Sequence, residues 1–273
     1  MNGFIYQSEE FWSELKHSPH HAGEVEFLRS VCRPGMRVIE AGANRGVTAV
    51  ALAKLVGKQG HLHAFEPVPE YCAELKQNLS VNGVVNASVY QLALSERQGR
   101  IRLYKHGAGS GITPSPKAQE LWVHATTVTD FLRDEKIGGI DLLHLDCEGS
   151  ELLVLKGAKA VLEEHAPEIF CEIHHPYLRE LGQSARDVMN FLTAIGYEVE
   201  PLQVENLKAQ TTLESCSHIS ARKRVQEEYV QELERKIADL KGRMPAHSVN
   251  PSMMQELEDL EEQLETAQEN KRW

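Results

Sequence analysis

Val38-Ile39-Glu40-Ala41-Gly42-Ala43-Asn44-Arg45-Gly46 is the stretch on which the fold turns. It opens as an apolar strand, passes through a turn holding two glycines, and runs into the apolar helix Val47–Val56, closed by Gly57. A strand, a tight turn and a helix in that order let a ligand approach the backbone at the carboxyl end of the first strand of a doubly wound sheet.

The same alternation continues outward from this unit. Residues 61–65 (HLHAF) read as a strand, 70–83 as a helix ended by Asn82-Gly83, and 87–94 (ASVYQLAL) as another strand. Residues 100–104 and 122–127 predict two strands around the loop GAGSGITPSP, 107–116, which is a mobile lid or a plain surface loop. A helix over 127–136, a fully apolar strand over 140–146, a helix over 151–165 and a strand over 168–175 follow. Ser184 is placed as the N-cap of a helix ended by Gly196, and 197–203 with 215–222 suggest a closing hairpin. Strands alternating with helices of about 10–15 residues imply a mostly parallel sheet with helices on both faces.

Three segments are expected. Residues 1–35 form a helical lead-in with Phe11, Trp12, Leu15, Val25, Phe27 and Leu28 at helix-compatible spacings, before Pro34-Gly35. Residues 36–222 form the α/β domain. Beyond Arg222, Val230, Leu233, Ile237, Leu240 and Met244 step by threes and fours, and Met253, Leu257, Leu260, Leu264 and Ala267 resume after Pro245 and Pro251. This seam predicts a helical hairpin or coiled-coil extension over 223–273 that associates with itself or with a partner helix.

Composition sets limits. A hydrophobic share of 41% supplies a sizeable core, and a formal charge of −11 speaks against nucleic acid, which needs clustered Lys and Arg. Five scattered cysteines without CxxC spacing read as free thiols in a reducing compartment. The amino terminus lacks a signal pattern, and no apolar run approaches the roughly 18 residues that span a bilayer, so a soluble, cytoplasmic protein is expected.

The turn spacing is GxxxG, not the GxGxxG of a pyrophosphate-binding loop, which counts against a nicotinamide oxidoreductase. Glu40 sets a carboxylate beside the turn, where a cationic ligand suits better than a diphosphate. S-adenosylmethionine (AdoMet), with its ammonium and sulfonium charges, meets that description. About twenty residues on, Glu66 ends the next strand, where an acid accepts the two ribose hydroxyls of an adenosine group. Alone, such a residue is more often a helix-start acid helped by the dipole.

EAGANRG at 40–46, FEPVPE at 65–70, and above all HLDCEGSELLVLKGA at 144–158 with EIFCEIHH at 168–175 resemble the FkbM family of methyltransferases. The resemblance runs from about Gly35 to Arg222. It implies a Rossmann-like, seven-stranded class I methyltransferase fold. It also implies AdoMet as cofactor and methyl transfer to a hydroxyl of a sugar, glycoconjugate or natural-product scaffold, so that the partner is a small-molecule or saccharide acceptor. Cofactor contacts are implied along the turn Glu40, Gly42, Ala43, Asn44 and Gly46 and at Glu66, with Ala93 near the adenine and Asp146 on the cofactor side.

Methyl transfer from a sulfonium is an in-line displacement, and an aliphatic hydroxyl needs a base or a metal to become nucleophilic. Asp146, Glu172 and His174 sit at carboxyl ends of strands. His174 is the expected general base and Asp146 its orienting partner. Asp146, Glu172 and His174 also suit a divalent metal, which is not favoured. Either histidine of the His174-His175 pair also fits a hydrogen-bonded structural role, and Glu148 and Glu151 fit helix-start acids. No role is assigned to His20-His21, His61 or His63. A different class is a catalytically silent AdoMet-fold scaffold acting through its helical tail.

Overall fold

The computed structural model describes residues 18–106, 109–114, 116, 118–223, 226–244 and 251–269. The chain divides into two compact units, Met1–Arg222 and Lys223–Trp273. Phe11, Trp12 and Leu15 lie outside the described residues, as do 107, 108 and 115 of the expected loop.

The first unit opens with helix α1, Pro19–Val31. Pro19 stands where its missing N–H costs nothing, and the Ser18 side chain accepts from the His21 N–H. Val25 and Leu28 are buried, and Phe27 stacks on Phe170 with ring centroids 4.4 Å apart. Strand β1 (Arg37–Ala41) feeds α2 (Val47–Val56), and β2 (His61–Phe65) feeds α3 (Pro69–Val81), which leads to β3 (Ala87–Tyr90).

The expected single strand over 87–94 is divided. Its second half, β4 (Ala93–Leu94), leaves β3 and pairs with β7 (Gln119–Thr126), which runs antiparallel to β5 (Gly99–His106). The loop between β5 and β7 contains a further strand, β6 (Gly109–Gly111), antiparallel to β5. These make a four-stranded sheet ordered β4-β7-β5-β6.

The chain re-enters the main sheet through α4 (Val128–Asp134) and β8 (Leu142–Leu145). The helix expected over 151–165 is two helices, α5 (Glu151–Gly157) and α6 (Lys159–His165). The Thr129 hydroxyl donates to the Gly157 carbonyl at 2.8 Å, and a β-carbon on Gly157 would meet the Ser95 carbonyl oxygen at 2.0 Å. Long-range packing therefore interrupts a run that is helical by local pattern. Strand β9 (Glu168–Glu172), helices α7 (His175–Glu180) and α8 (Ala185–Ala194), β10 (Tyr197–Leu202) and β11 (His218–Lys223) complete the unit. Ser184 caps α8, accepting from the Asp187 N–H.

The main sheet is ordered β10-β11-β9-β8-β1-β2-β3. The pairs β2/β3, β1/β2, β1/β8 and β8/β9 are parallel, and β11 runs antiparallel to β9. Successive side chains alternate between two cores. Ile39, Ala41, Leu143, Leu145 and Ile169 pack with α4, α5, α6 and α8, whereas Val38, Leu62, Leu142 and Phe170 pack with α1, α2 and α3. From β1 the chain winds outward through β2 and β3 and returns to β8 on its other side. That reversal makes the carboxyl ends of β1 and β8 the place where such sheets open a crevice.

In the second unit, α9 (Gln226–Arg243) and α10 (Pro251–Glu269) pack against each other. Leu233, Ile237 and Leu240 are buried, Met253, Leu257, Leu260 and Leu264 half-buried, and Lys241 Nζ pairs with Glu261 Oε1 at 2.6 Å. No helix among the described residues is long and apolar enough to cross a membrane. All five cysteines are free thiols.

Candidate active site

The turn after β1 is held in a conformation that most residues avoid. Gly42, Asn44 and Gly46 have φ of +85°, +47° and +90°, where Asn is the side chain best tolerated after glycine. The N–H groups of Gly42 and Ala43 both donate to the Phe65 carbonyl at the end of β2, at 3.0 and 2.9 Å. Gly42 also lies against β8: a β-carbon there would stand 1.8 Å from the Asp146 carbonyl oxygen.

Glu66 follows directly on β2. Its Oε2 accepts from the Asn44 N–H at 2.9 Å and its Oε1 from the Val68 N–H at 2.8 Å, which ties the second strand end to the turn of the first. Burial drives its carboxyl up to about 7, against those two hydrogen bonds. A carboxylate has about four lone-pair positions, so both oxygens keep acceptor capacity.

One cavity joins these elements. Ala41, Gly42, Asn44, Phe65, Glu66 and Pro67 form one side, and Asp146, Cys147, Glu148 and Ser150 after β8 another. Leu92, Ala93, Leu94, Ile101, Leu103 and Ser110 close it from the four-stranded sheet. The cavity thus gathers Gly42, Asn44, Glu66, Ala93 and Asp146. Glu40, Ala43, Gly46, Glu172 and His174 are not among the described residues lining it.

Glu40 points to the opposite face of β1. It is wholly buried, accepts from the Thr48 hydroxyl, and stands 3.5 Å from His144 Nδ1. Burial opposes charge on His144, but the Glu40 carboxylate outweighs it and raises that imidazole above its ordinary value. Glu40 Oε1 thus faces a buried histidine beneath the turn, while its Oε2 has no hydrogen-bond partner among the described residues.

Behind Asp146 lies a cluster that the sequence did not disclose as a unit. Glu148 and Gly149 take φ of +49° and +97°, swinging the chain so that Asp146, Glu148 and Glu151 converge on His174. His174 Nδ1 is 2.8 Å from Glu151 Oε1, which also accepts from the Gly149 N–H at 3.0 Å. His174 Nε2 faces Asp146 Oδ1, Glu148 Oε2 and Glu172 Oε1 at 3.5, 3.6 and 3.6 Å. Burial alone would lower the imidazole, yet the Glu151 hydrogen bond and the surrounding carboxylates push it up to about 10. His174, the expected general base, is thus ringed by carboxylates with its Nε2 toward Asp146. Burial and the nearby Glu172 charge raise Asp146 well above the usual carboxylate range. His175 turns away, its Nε2 2.9 Å from the Cys216 carbonyl. Glu151 is the residue sequence reasoning undervalued: its place in the 146–158 motif was the signal, and its helix-start position masked it.

A model of the methyltransferase FkbM domain matches residues 40–199, more than half of the chain. The chain belongs to this family. Beside the FkbM match, the chain is 26% identical over 149 residues to the 2-O-methyltransferase NoeI of Sinorhizobium fredii, covering 48% of this chain and 60% of that protein. Over 57 residues it is 35% identical to a protein-L-isoaspartate O-methyltransferase of Ignicoccus hospitalis, covering 21% and 27%. The chain therefore spans less than two thirds of these relatives. Among solved structures, a methyltransferase FkbM from Methylobacillus flagellatus KT aligns with a TM-score of 0.46 at 16% identity, over 72% of this chain and 50% of that one.

Proposed function

We propose that this FkbM-family chain is an AdoMet-dependent methyltransferase that methylates a hydroxyl oxygen on a sugar, glycoconjugate or natural-product acceptor. The observation that carries this reading is the junction of Glu66 with the Gly42–Asn44 turn on one cavity at the sheet's crevice. The turn admits a ligand against its backbone, and Glu66 accepts from the ribose hydroxyls of an adenosine group. The relative NoeI, a 2-O-methyltransferase, supports oxygen as the acceptor atom.

In the transfer, the acceptor oxygen bonds to the methyl carbon as the carbon–sulfur bond breaks, and the hydroxyl proton leaves to a base. Asp146 lines the cavity and His174 does not, so Asp146 takes that proton and His174 orients it. A second reading places a divalent cation among Asp146, Glu172 and His174, whose donor atoms lie within 4.8 Å of one another. The Glu151 contact with His174 Nδ1 favours it, because metal-bound imidazoles commonly donate their other N–H to a carboxylate.

Titration calorimetry with S-adenosylhomocysteine (AdoHcy) is the first test, on the natural chain and on Glu66→Ala and Gly42→Val. Micromolar binding lost in both variants supports the cofactor site and justifies transfer assays on saccharide and natural-product acceptors. Absence of binding sinks the reading and favours a silent scaffold acting through residues 223–273.

A further inference from the structure

On the face of the main sheet carrying α1, four side chains from three elements converge. His20 and Glu24 are one turn apart on α1 and so share a helix face. Glu172 ends β9, and His218 on β11 is its register partner. His20 Nε2 stands 3.2 Å from Glu172 Oε1 and 4.0 Å from Glu24 Oε2, and His218 Nε2 stands 3.3 Å from Glu24 Oε1. All four donor atoms lie within 4.8 Å of one another. A four-coordinate ion with bonds of about 2.0–2.2 Å holds its ligands about 3.3–3.6 Å apart, which is the range these donors bracket.

The surroundings match a metal centre more closely than an ordinary ion-pair network. Each imidazole turns Nε2 inward and has its other nitrogen engaged: His20 Nδ1 lies 2.9 Å from Glu205 Oε1, and His218 Nδ1 lies 3.1 Å from Ser217 Oγ. Such outer partners fix the tautomer of a metal-bound histidine. His218 is also locked in plane, stacked on Phe170 at 4.7 Å and 13°. Glu24 and His218 are almost fully buried, whereas His20 is partly exposed and leaves an entry path. The neighbourhood is strongly negative, with Asp146, Glu148 and Glu151 beyond Glu172.

We propose that His20, Glu24, Glu172 and His218 bind a divalent transition-metal ion, zinc foremost, which fastens α1 to the sheet. Two imidazoles with two carboxylates select zinc, cobalt or iron over magnesium and calcium. His20, Glu24 and His218 lie outside the stretch matched to the FkbM domain, whereas Glu172 lies within it. The metal site has one consequence for the neighbouring site: an ion here fixes Glu172 Oε1, the oxygen that also faces His174 Nε2.

The test uses the full-length chain stripped with a chelator and reloaded with cobalt(II). About one ion per chain is expected at this site, with X-ray absorption counting about two imidazoles on the cobalt. His20→Ala and Glu24→Gln should lose that ion, whereas His174→Ala should keep it. Zinc should raise the melting temperature of the stripped natural chain but leave that of stripped His20→Ala unchanged. Failure of the natural chain to bind cobalt overturns the proposal. So does an ion with one imidazole or none, or one that His20→Ala and Glu24→Gln retain. AdoHcy binding is read separately and bears only on the cofactor.

Discussion

Gly42 faces the backbone of Asp146 so closely that the two strand ends behave as one piece. A β-carbon on Gly42 would stand 1.8 Å from the Asp146 carbonyl oxygen, and the residue's φ of +85° already excludes most side chains. The substitution Gly42→Ala therefore adds left-handed strain of about 1–2 kcal/mol to a backbone collision. The melting temperature should fall by at least about 2–8 °C, and AdoHcy binding should weaken by about tenfold or more. Thermal melting and calorimetry check this; a variant that melts and binds like the natural chain would show that the turn does not need glycine.

Glu66 gives the cofactor site a pH dependence whose sign follows from its environment. Its carboxyl titrates near 7 in the folded chain against an ordinary 4.5, so between those values the folded state holds more protons than the unfolded one. The stability gained from that proton is present below about 4.5 and is lost as pH rises through 7. AdoHcy binding needs the ionised form and should change the other way, strengthening about tenfold from pH 6 to pH 8. Glu66→Gln should bind weakly and show a flat profile. An undiminished slope in that variant would assign the titration to another group.

Asp146 and His174 should separate by which kinetic constant they move. Asp146→Asn should lower kcat by about 10²–10⁴-fold with AdoHcy affinity held within a few-fold, as expected of a base rather than a binding group. His174→Gln should cost less, because its imidazole acts through Asp146. Full activity in Asp146→Asn would remove that carboxylate from the chemistry.

Thr48→Val tests the assignment of Glu40 beneath the turn. The isosteric change withdraws a hydroxyl from a wholly buried carboxylate and should destabilise the chain by about 1–3 kcal/mol. AdoHcy affinity should stay nearly constant. A large loss of affinity at unchanged stability would return Glu40 to the cofactor.

The helical unit is expected to assemble chains. Sedimentation should give a larger particle for the full chain than for one ending at Arg222, with AdoHcy binding equal in both. Equal association states would dismiss a role for residues 223–273 in self-assembly.

The parts legible in the sequence are those whose cause is local. The turn after β1 announces itself because a buried strand, two glycines and an apolar helix adjoin within residues 38–56. Glu66 is legible because its distance from that turn is fixed by one helix and one strand. The division between β3 and β4 is not, because Ala87–Leu94 holds no glycine or proline to mark a break while Tyr90 stacks on Phe65 and Ala93 pairs with Ala125. Nor is the break at Gly157, which Thr129 and Ser95 impose from far along the chain. The histidines show the same limit. His174 is legible near a strand end, but the four carboxylates that surround it are spread over residues 146–172. His20 gave no signal, because its partners Glu172 and Glu205 lie more than 150 residues away.

The cavity takes its walls from two different sheets. Gly42, Glu66 and Asp146 stand on ends of the seven-stranded sheet, while Ala93, Ile101, Leu103 and Ser110 come from the four-stranded one. Gly109 and Gly111 let that smaller sheet rest directly on Glu148, with almost nothing between them. Mutations on the smaller sheet can therefore reshape one wall while the strand ends that form the other stay as they are.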